Sequence, residues 1–278
     1  HKVCINLSGG FRNGMEIILT GLDIEEKANV FTNTLFNSVG GKEQFDEVSI
    51  QLHRTDKHDA NTNEEAMASL VISVKSKDPN LVGRLFSAKI IELALANIPG
   101  FFAQSGVKTS GPVIVYWPAL VKSKYIKEIV HVDGKDIEVE PTSQLNLEEI
   151  YYQKEPVKLE KIEIKGEREL YFGELFGTRS GDKGGCANLG VWAKNSQAFA
   201  FLYDFLTVDK LKDLLPDLQE FKIERFELAN INSLNFYIHD ILQDGVSSNN
   251  KKDGQAKSLG EYLRSKKIKV PESIIGDL

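Results

Sequence analysis

The sequence predicts an α+β chain of two small α/β sandwiches joined by a charged stretch, and three observations predict it. In the first 120 positions apolar residues alternate and then recur at helical steps, in the order β-α-β-β-α-β. Between residues 122 and 169 charged side chains rise to 21 of 48, against 27% for the chain. After residue 170 the patterns return as β-β-α-β-β-α. The first order is that of the split βαβ, or ferredoxin-like, arrangement. The chain therefore divides at 1–121, 122–169 and 170–278. The two halves share this architecture without a visible sequence repeat.

Each element has its own signal. Val3–Leu7 alternates as a strand, Ser8-Gly9-Gly10 and Asn13-Gly14 supply turn residues, and Met15–Leu19 is a second apolar run, so the opening reads as a hairpin. Asp23 reads as the cap of a helix in which Ile24, Ala28, Phe31, Leu35 and Val39 recur at three- and four-residue steps. Val48, Ile50 and Leu52 alternate, His53 to Glu65 is a polar loop, and Met67–Val74 is the next strand. Asp78-Pro79 reads as the start of a second helix that runs to Asn97 and is stopped by Pro99-Gly100. Val113–Tyr116 is a short apolar strand, closed by Pro118.

Asp133-Gly134 predicts a hairpin between Ile126–Val132 and Lys135–Glu140, followed by an exposed connection through Pro141 and Pro156. Leu170–Phe176 and Leu189–Ala193 read as strands. Ser196–Leu206 with Val208–Leu215 gives one broken helix or two short ones, Phe221–Leu228 and Leu234–Ile241 alternate, and Ser258–Leu263 is a short helix after the polar loop Asp244–Gly254.

Composition excludes several function classes. With 278 residues and 41% hydrophobic content, the chain can bury a core without disulfides or metal. Its longest apolar stretch, Ile90–Phe102, is broken by Glu92, Asn97 and Pro99, well short of the ~18 residues that suggest a membrane span. A net charge of −6 with scattered lysines argues against a nucleic-acid partner. Two distant cysteines, Cys4 and Cys186, read as reduced thiols inside a cell. The chain opens on His1 within a strand, as a piece of a longer protein would, and its own N-terminal region is then an expected partner. The expected location is the cytoplasm, with a mitochondrial leader left open by that start.

The segment with the most chemistry is Thr178-Arg179-Ser180-Gly181-Asp182-Lys183-Gly184-Gly185-Cys186-Ala187-Asn188-Leu189-Gly190. Four glycines allow positive φ and successive exposed N–H groups, which an anion-binding nest requires. Arg179 offers a planar fork for carboxylate or phosphate, Lys183 a point charge, and Asp182 a group to orient them. The same residues also fit a glycine-rich β-turn with a surface Arg–Asp pair. The spacing is not that of a P-loop.

These residues, with Glu227-Leu228, Asn230, Leu234-Asn235-Phe236, Asp253, Gln255, Lys257 and Leu259, resemble the C-terminal ferredoxin-like domain of the acyclic terpene utilisation AtuA family. Leu19–Asp23, Pro99–Phe102 and Val115–Leu120 resemble the region preceding it. The resemblance implies a role in the breakdown of branched acyclic terpenoids such as citronellol or geraniol, through CoA thioesters. It also implies a further glycine-rich N-terminal region that would supply catalysis. It names no cofactor. Within that class a hydratase or lyase step on a CoA thioester or organic acid is the expected chemistry. The expected ligand set is Arg179, Ser180, Gly181, Asp182, Lys183, Gly184, Asn188, Asn235 and Lys257, and the expected ligand is a small acidic molecule or CoA thioester. The competing reading is a non-catalytic assembly module that forms a homo-oligomer.

Other clusters read as structural. His53-Arg-Thr-Asp-Lys-His58-Asp59 could ligate a metal, but histidines five apart in an aperiodic segment fit a solvated loop better. Cys186 departs from the hydroxyl or small polar residue that the resemblance leads one to expect, and a nucleophilic cysteine needs a histidine beside it. His239, the one histidine of this half outside the connection, reads as a structural strand residue. Tyr116-Trp117-Pro118 reads as a strand end packed on the connection, and Asn230 and Asn232 as turn residues.

Overall fold

A computed structural model describes residues 1–96, 98–139, 157–160, 162 and 166–275. It falls into two compact units, Asn6–Val115 and a larger one made of His1–Ile5 with Tyr116–Leu278.

The unit Asn6–Val115 has one antiparallel sheet, in the order β2-β3-β1-β4. Its strands are β1 (Lys2–Thr20), β2 (Glu47–His53), β3 (Met67–Ser76), β4 (Phe101–Ala103) and β5 (Gly111–Leu120), the last also pairing with β1. Helices α1 (Ile24–Ser38) and α2 (Arg84–Leu95) follow β1 and β3. That is the split βαβ order. Met15, Ile17, Leu19, Leu70, Ile72 and Val74 turn one sheet face toward Phe31, Leu35, Phe86 and Ile90 of the helices, all nearly fully buried.

Three local expectations are corrected here. The opening is no hairpin: β1 is one strand of 19 residues, whose Phe11–Thr20 pairs with Met67–Ser76. Its glycines serve close approach rather than reversal, since a Cβ on Gly14 would lie 2.4 Å from the Ile72 carbonyl oxygen. Asn13 is buried and donates to the carbonyls of Gly83 (3.1 Å) and Lys108 (3.2 Å). Asp23 precedes α1 in a left-handed conformation with no side-chain cap. Asp78 makes a local turn to the Asn80 amide (2.9 Å), and α2 starts only at Arg84. The short strand Phe101–Ala103, to which no element is assigned from the sequence, pairs with Ile17–Leu19.

The larger unit carries the hairpin of β6 (Glu128–Val132) and β7 (Lys135–Val139), turned by Asp133 (φ 50°) and Gly134 (φ 73°) as the sequence predicts. The connection at residues 140–156 lies outside the described residues. Beyond it, Val157, Leu159 and Ile162 pack against the core of this unit, contrary to the expected exposed linker.

The predicted strand Leu170–Phe176 is split. β8 (Glu167–Tyr171) is followed by one helical turn, α3 (Phe172–Leu175), which buries Phe172 and Leu175 before β9 (Phe176–Lys183) begins. β10 (Cys186–Ala193), α4 (Ser196–Phe205), α5 (Val208–Leu214), β11 (Ile223–Leu228), β12 (Ser233–Ile238), α6 (Leu259–Arg264) and β13 (Lys267–Pro271) complete the chain. The sheet order is β11-β12-β10-β9, all antiparallel. Set beside β2-β3-β1-β4, it is the same sheet with its last strand moved to the front of the chain. β13 pairs with β8, so Lys267–Pro271 lies against Glu167–Tyr171.

Candidate functional site

The glycine-rich segment is a β-hairpin. Lys183 pairs with Cys186 and Phe176 with Ala193, and the turn is Gly184-Gly185. Of its glycines only Gly184 has positive φ (67°), so the nest of successive amides is not formed. Strand parity then decides which side chains act together. Ala187, Leu189 and Val191 of β10, with Phe236 and Ile238 of β12, face the core. Ser180 and Asp182 lie in register with Leu189 and Ala187 and share that face. The Ser180 hydroxyl accepts the Gly260 amide at 2.9 Å and holds α6 on β9.

The opposite face is open and its side chains form rows across four strands. Gly177, Trp192, Ser233 and Leu228 make the first row, and Arg179, Gly190, Asn235 and Phe226 the second. Gly181, Asn188, Tyr237 and Glu224 make the third, and Lys183 and Cys186 lie beyond. Of the expected ligand residues, this face gathers Arg179, Gly181, Lys183, Asn188 and Asn235. Asn188 donates to Asn235 at 3.2 Å, which fixes both amides at the centre. The Arg179 guanidinium is exposed and has no hydrogen-bond or ion-pair partner among the described residues.

Lys257 approaches past the edge strand β9. Its ammonium is 3.7 Å from Asp182 Oδ1 and 3.0 Å from where a Cβ on Gly181 would stand, so glycine at 181 makes room for it. Asp253 fixes the backbone here, accepting the Lys257 amide (2.9 Å), the Ser258 amide (2.8 Å) and the Ser258 hydroxyl (2.6 Å). Burial pushes the Asp253 carboxyl up, but the bonds from Ser258 and the backbone outweigh it and hold the group below the ordinary carboxylate value. A depressed folded-state pKa stabilises above the unfolded value and is lost as pH falls through the folded one. The melting-temperature difference between wild type and Asp253→Asn is therefore expected to begin to narrow only below about pH 4 and to close as the pH falls through the folded-state value. A difference that stays constant down to acid pH would refute this role.

Several residues here escaped the sequence reading. The Trp192 ring lies over Gly177, where a Cβ would meet it at 2.1 Å. Tyr237 shares a hydrogen bond with Cys186, which together with burial pushes the phenol up to about 12. His239 Nε2 is 2.5 Å from Glu224 Oε1, and this contact, against some burial, lowers the glutamate. Their signal was strand parity, visible once 176–183 is read as a strand. Gly184 lies near the Tyr116 ring, 3.4 Å from its would-be Cβ, so Tyr116 packs on the hairpin turn.

The polar loop after β2 is held by ion pairs. Arg54 binds both oxygens of Asp56 (2.7 and 2.8 Å) and reaches Glu25 at 2.8 Å, keeping the Asp56 carboxyl low. Among the described residues no three His, Cys, Asp or Glu gather as metal ligands, and no helix is long and apolar enough to cross a membrane. A separate cavity of about 580 Å³ is lined by Phe201, Phe205, Ile162, Glu167, Asp204 and Lys269, among others.

Residues 1–132 match the family model described as acyclic terpene utilisation family protein AtuA, and residues 172–269 match the AtuA ferredoxin-like domain. No curated protein and no solved structure matches the chain.

Proposed function

Because the chain belongs to the acyclic terpene utilisation AtuA family, we propose that the open face of β9–β12 binds the acidic end of a branched acyclic acid or its CoA thioester. The observation that carries this reading is the polarity of the face along its strands. Arg179, Lys183 and Lys257 surround Gly181 and the Asn188–Asn235 pair toward the hairpin turn. Trp192 and Leu228 stand in the row farthest from the turn, and Phe226 ends the middle row at the edge opposite Arg179, each of the three more than 40% exposed. Rows two residues apart are about 6.8 Å apart, so three rows suit an anionic head followed by a short branched tail. Guanidinium and ammonium groups take carboxylate or phosphate, the asparagine amides take a carbonyl, and the exposed rings cover the hydrocarbon.

A hydration or elimination step on the bound thioester is the chemistry we attach to this reading. Tyr237 and the Glu224–His239 pair stand in or beside the third row, where a proton could be given or taken. The test uses a CoA thioester of a branched ten-carbon acid, and coenzyme A alone, in calorimetric titrations. Arg179→Ala with Lys183→Ala is expected to weaken thioester binding by at least about tenfold, since loss of even one charged hydrogen bond is worth that much. The melting temperature should not change, because both side chains are exposed. Equal binding by wild type and double variant, or no binding by wild type, would remove the proposal. Binding of the thioester but not of coenzyme A would place the acyl group, and not the nucleotide, on this face.

A further inference from the structure

Among the described residues, β6 and β7 pair only with each other, and every one of their ten side chains is exposed. A two-stranded hairpin alone is at best marginally stable in water. Its register sorts the side chains into two unlike faces. Ile129, His131, Asp136 and Glu138 lie on one, where His131 pairs with Asp136 and Glu138 receives Lys127 at 3.5 Å. The other face carries Val130, Val132, Ile137 and Val139, exposed by 49, 47, 50 and 39%. Four β-branched side chains gathered on one face and standing in water are the signature of a face with a partner.

The charges at the ends of this face say which partner. Glu128 stands at its open end and Lys135 beside the turn. Two identical faces can meet about a two-fold axis lying either along the strands or across them. An axis along the strands brings the two Glu128 side by side at one end and the two Lys135 side by side at the other. An axis across them brings each Glu128 beside the Lys135 of the other copy, at both ends, with apolar side chains between. Glu128 also contacts His1 Nε2 at 3.1 Å, which leaves its second oxygen available.

We propose that this face is where two copies of the chain associate, strands antiparallel across the two-fold axis. The apolar patch is roughly 300 Å² per copy, below the roughly 800 Å² of a standard interface, so the dimer is a weak and reversible one. It is independent of the ligand face on β9–β12.

Sedimentation velocity on the full chain, from about 1 to about 200 µM, reads the association directly. Wild type is expected to shift from monomer to dimer across this range. Ile137→Asp should raise the dissociation constant at least about tenfold, by placing a carboxylate in the apolar contact. Glu128→Lys should weaken the dimer, and Glu128→Lys with Lys135→Glu in one chain should restore it, since the exchange recreates both cross-copy pairs. Unchanged tryptophan fluorescence and melting temperature show that each variant is folded. A wild type that stays monomeric throughout overturns the proposal, as does a dimer indifferent to Ile137→Asp or a charge exchange no better than the single variant.

Discussion

Phe236→Ala is expected to cost the larger unit about 3–5 kcal/mol. Phe236 is fully buried on β12, one strand in from the sheet edge, in register with Leu189 on β10 and Arg225 on β11. Strands on both sides hold its surroundings in place, so the cavity left by the ring cannot collapse. The readout is unusually clean. Both tryptophans, Trp117 and Trp192, belong to the unit His1–Ile5 with Tyr116–Leu278. Their fluorescence in a urea titration should move to a lower midpoint with an unchanged slope. A shift worth less than about 1 kcal/mol would mean that the sheet relaxes around the hole far more than its strand pairing suggests.

Gly14→Ala is expected to destabilise the other unit by about 3 kcal/mol. The added methyl would sit 2.4 Å from the Ile72 carbonyl oxygen and 3.0 Å from the Ser73 Cα, both of them backbone. No rotamer relieves such a contact, and only separation of β1 from β3 can. Far-UV ellipticity, which reports both units, should show the loss at lower denaturant. Wild-type stability in the alanine variant would mean that β1 and β3 can separate at this point without loss.

That misreading shows how much of this fold was legible. α1, β2 and β3 were readable because their apolar period has one solution: Phe31 and Leu35 face a core that Leu70 and Ile72 line from the other side. The glycines of β1 were not, because a glycine that turns the chain and a glycine that lets a second strand approach are written with the same letter. Only the neighbouring strand distinguishes them. Asp78-Pro79 failed similarly, since an aspartate that closes a local turn and one that caps a helix use the same short carboxylate. β13 could not be foreseen, because its five residues pair with a strand at the other end of the unit.

The candidate site was half legible. Arg179, Lys183, Asn188, Asn235 and Lys257 were singled out by residue type, and parity places four of them on one face and Lys257 at its edge. Ser180 and Asp182 belong to the other face, a distinction that a loop reading cannot make and a strand reading makes at once. Tyr237 and Glu224 were missed because each lies on a strand that only sheet order brings beside the motif, and Trp192 because its place on the open face shows only once the hairpin's parity is known.

The pairing of β13 with β8 also bears on how the larger unit is made. Lys267 meets Glu169 across 98 residues of chain. While a ribosome is still adding residues before 267, β8 has no strand to pair with, and Val270 and Ile268 have yet to enter the core they fill. Closing so long a loop is slow even though its entropic cost grows only gently with length. Nascent chains halted just before Lys267 should therefore be cut by protease near Glu167–Tyr171, and chains released after Pro271 should resist. The unit cannot complete its assembly before Pro271 has been made.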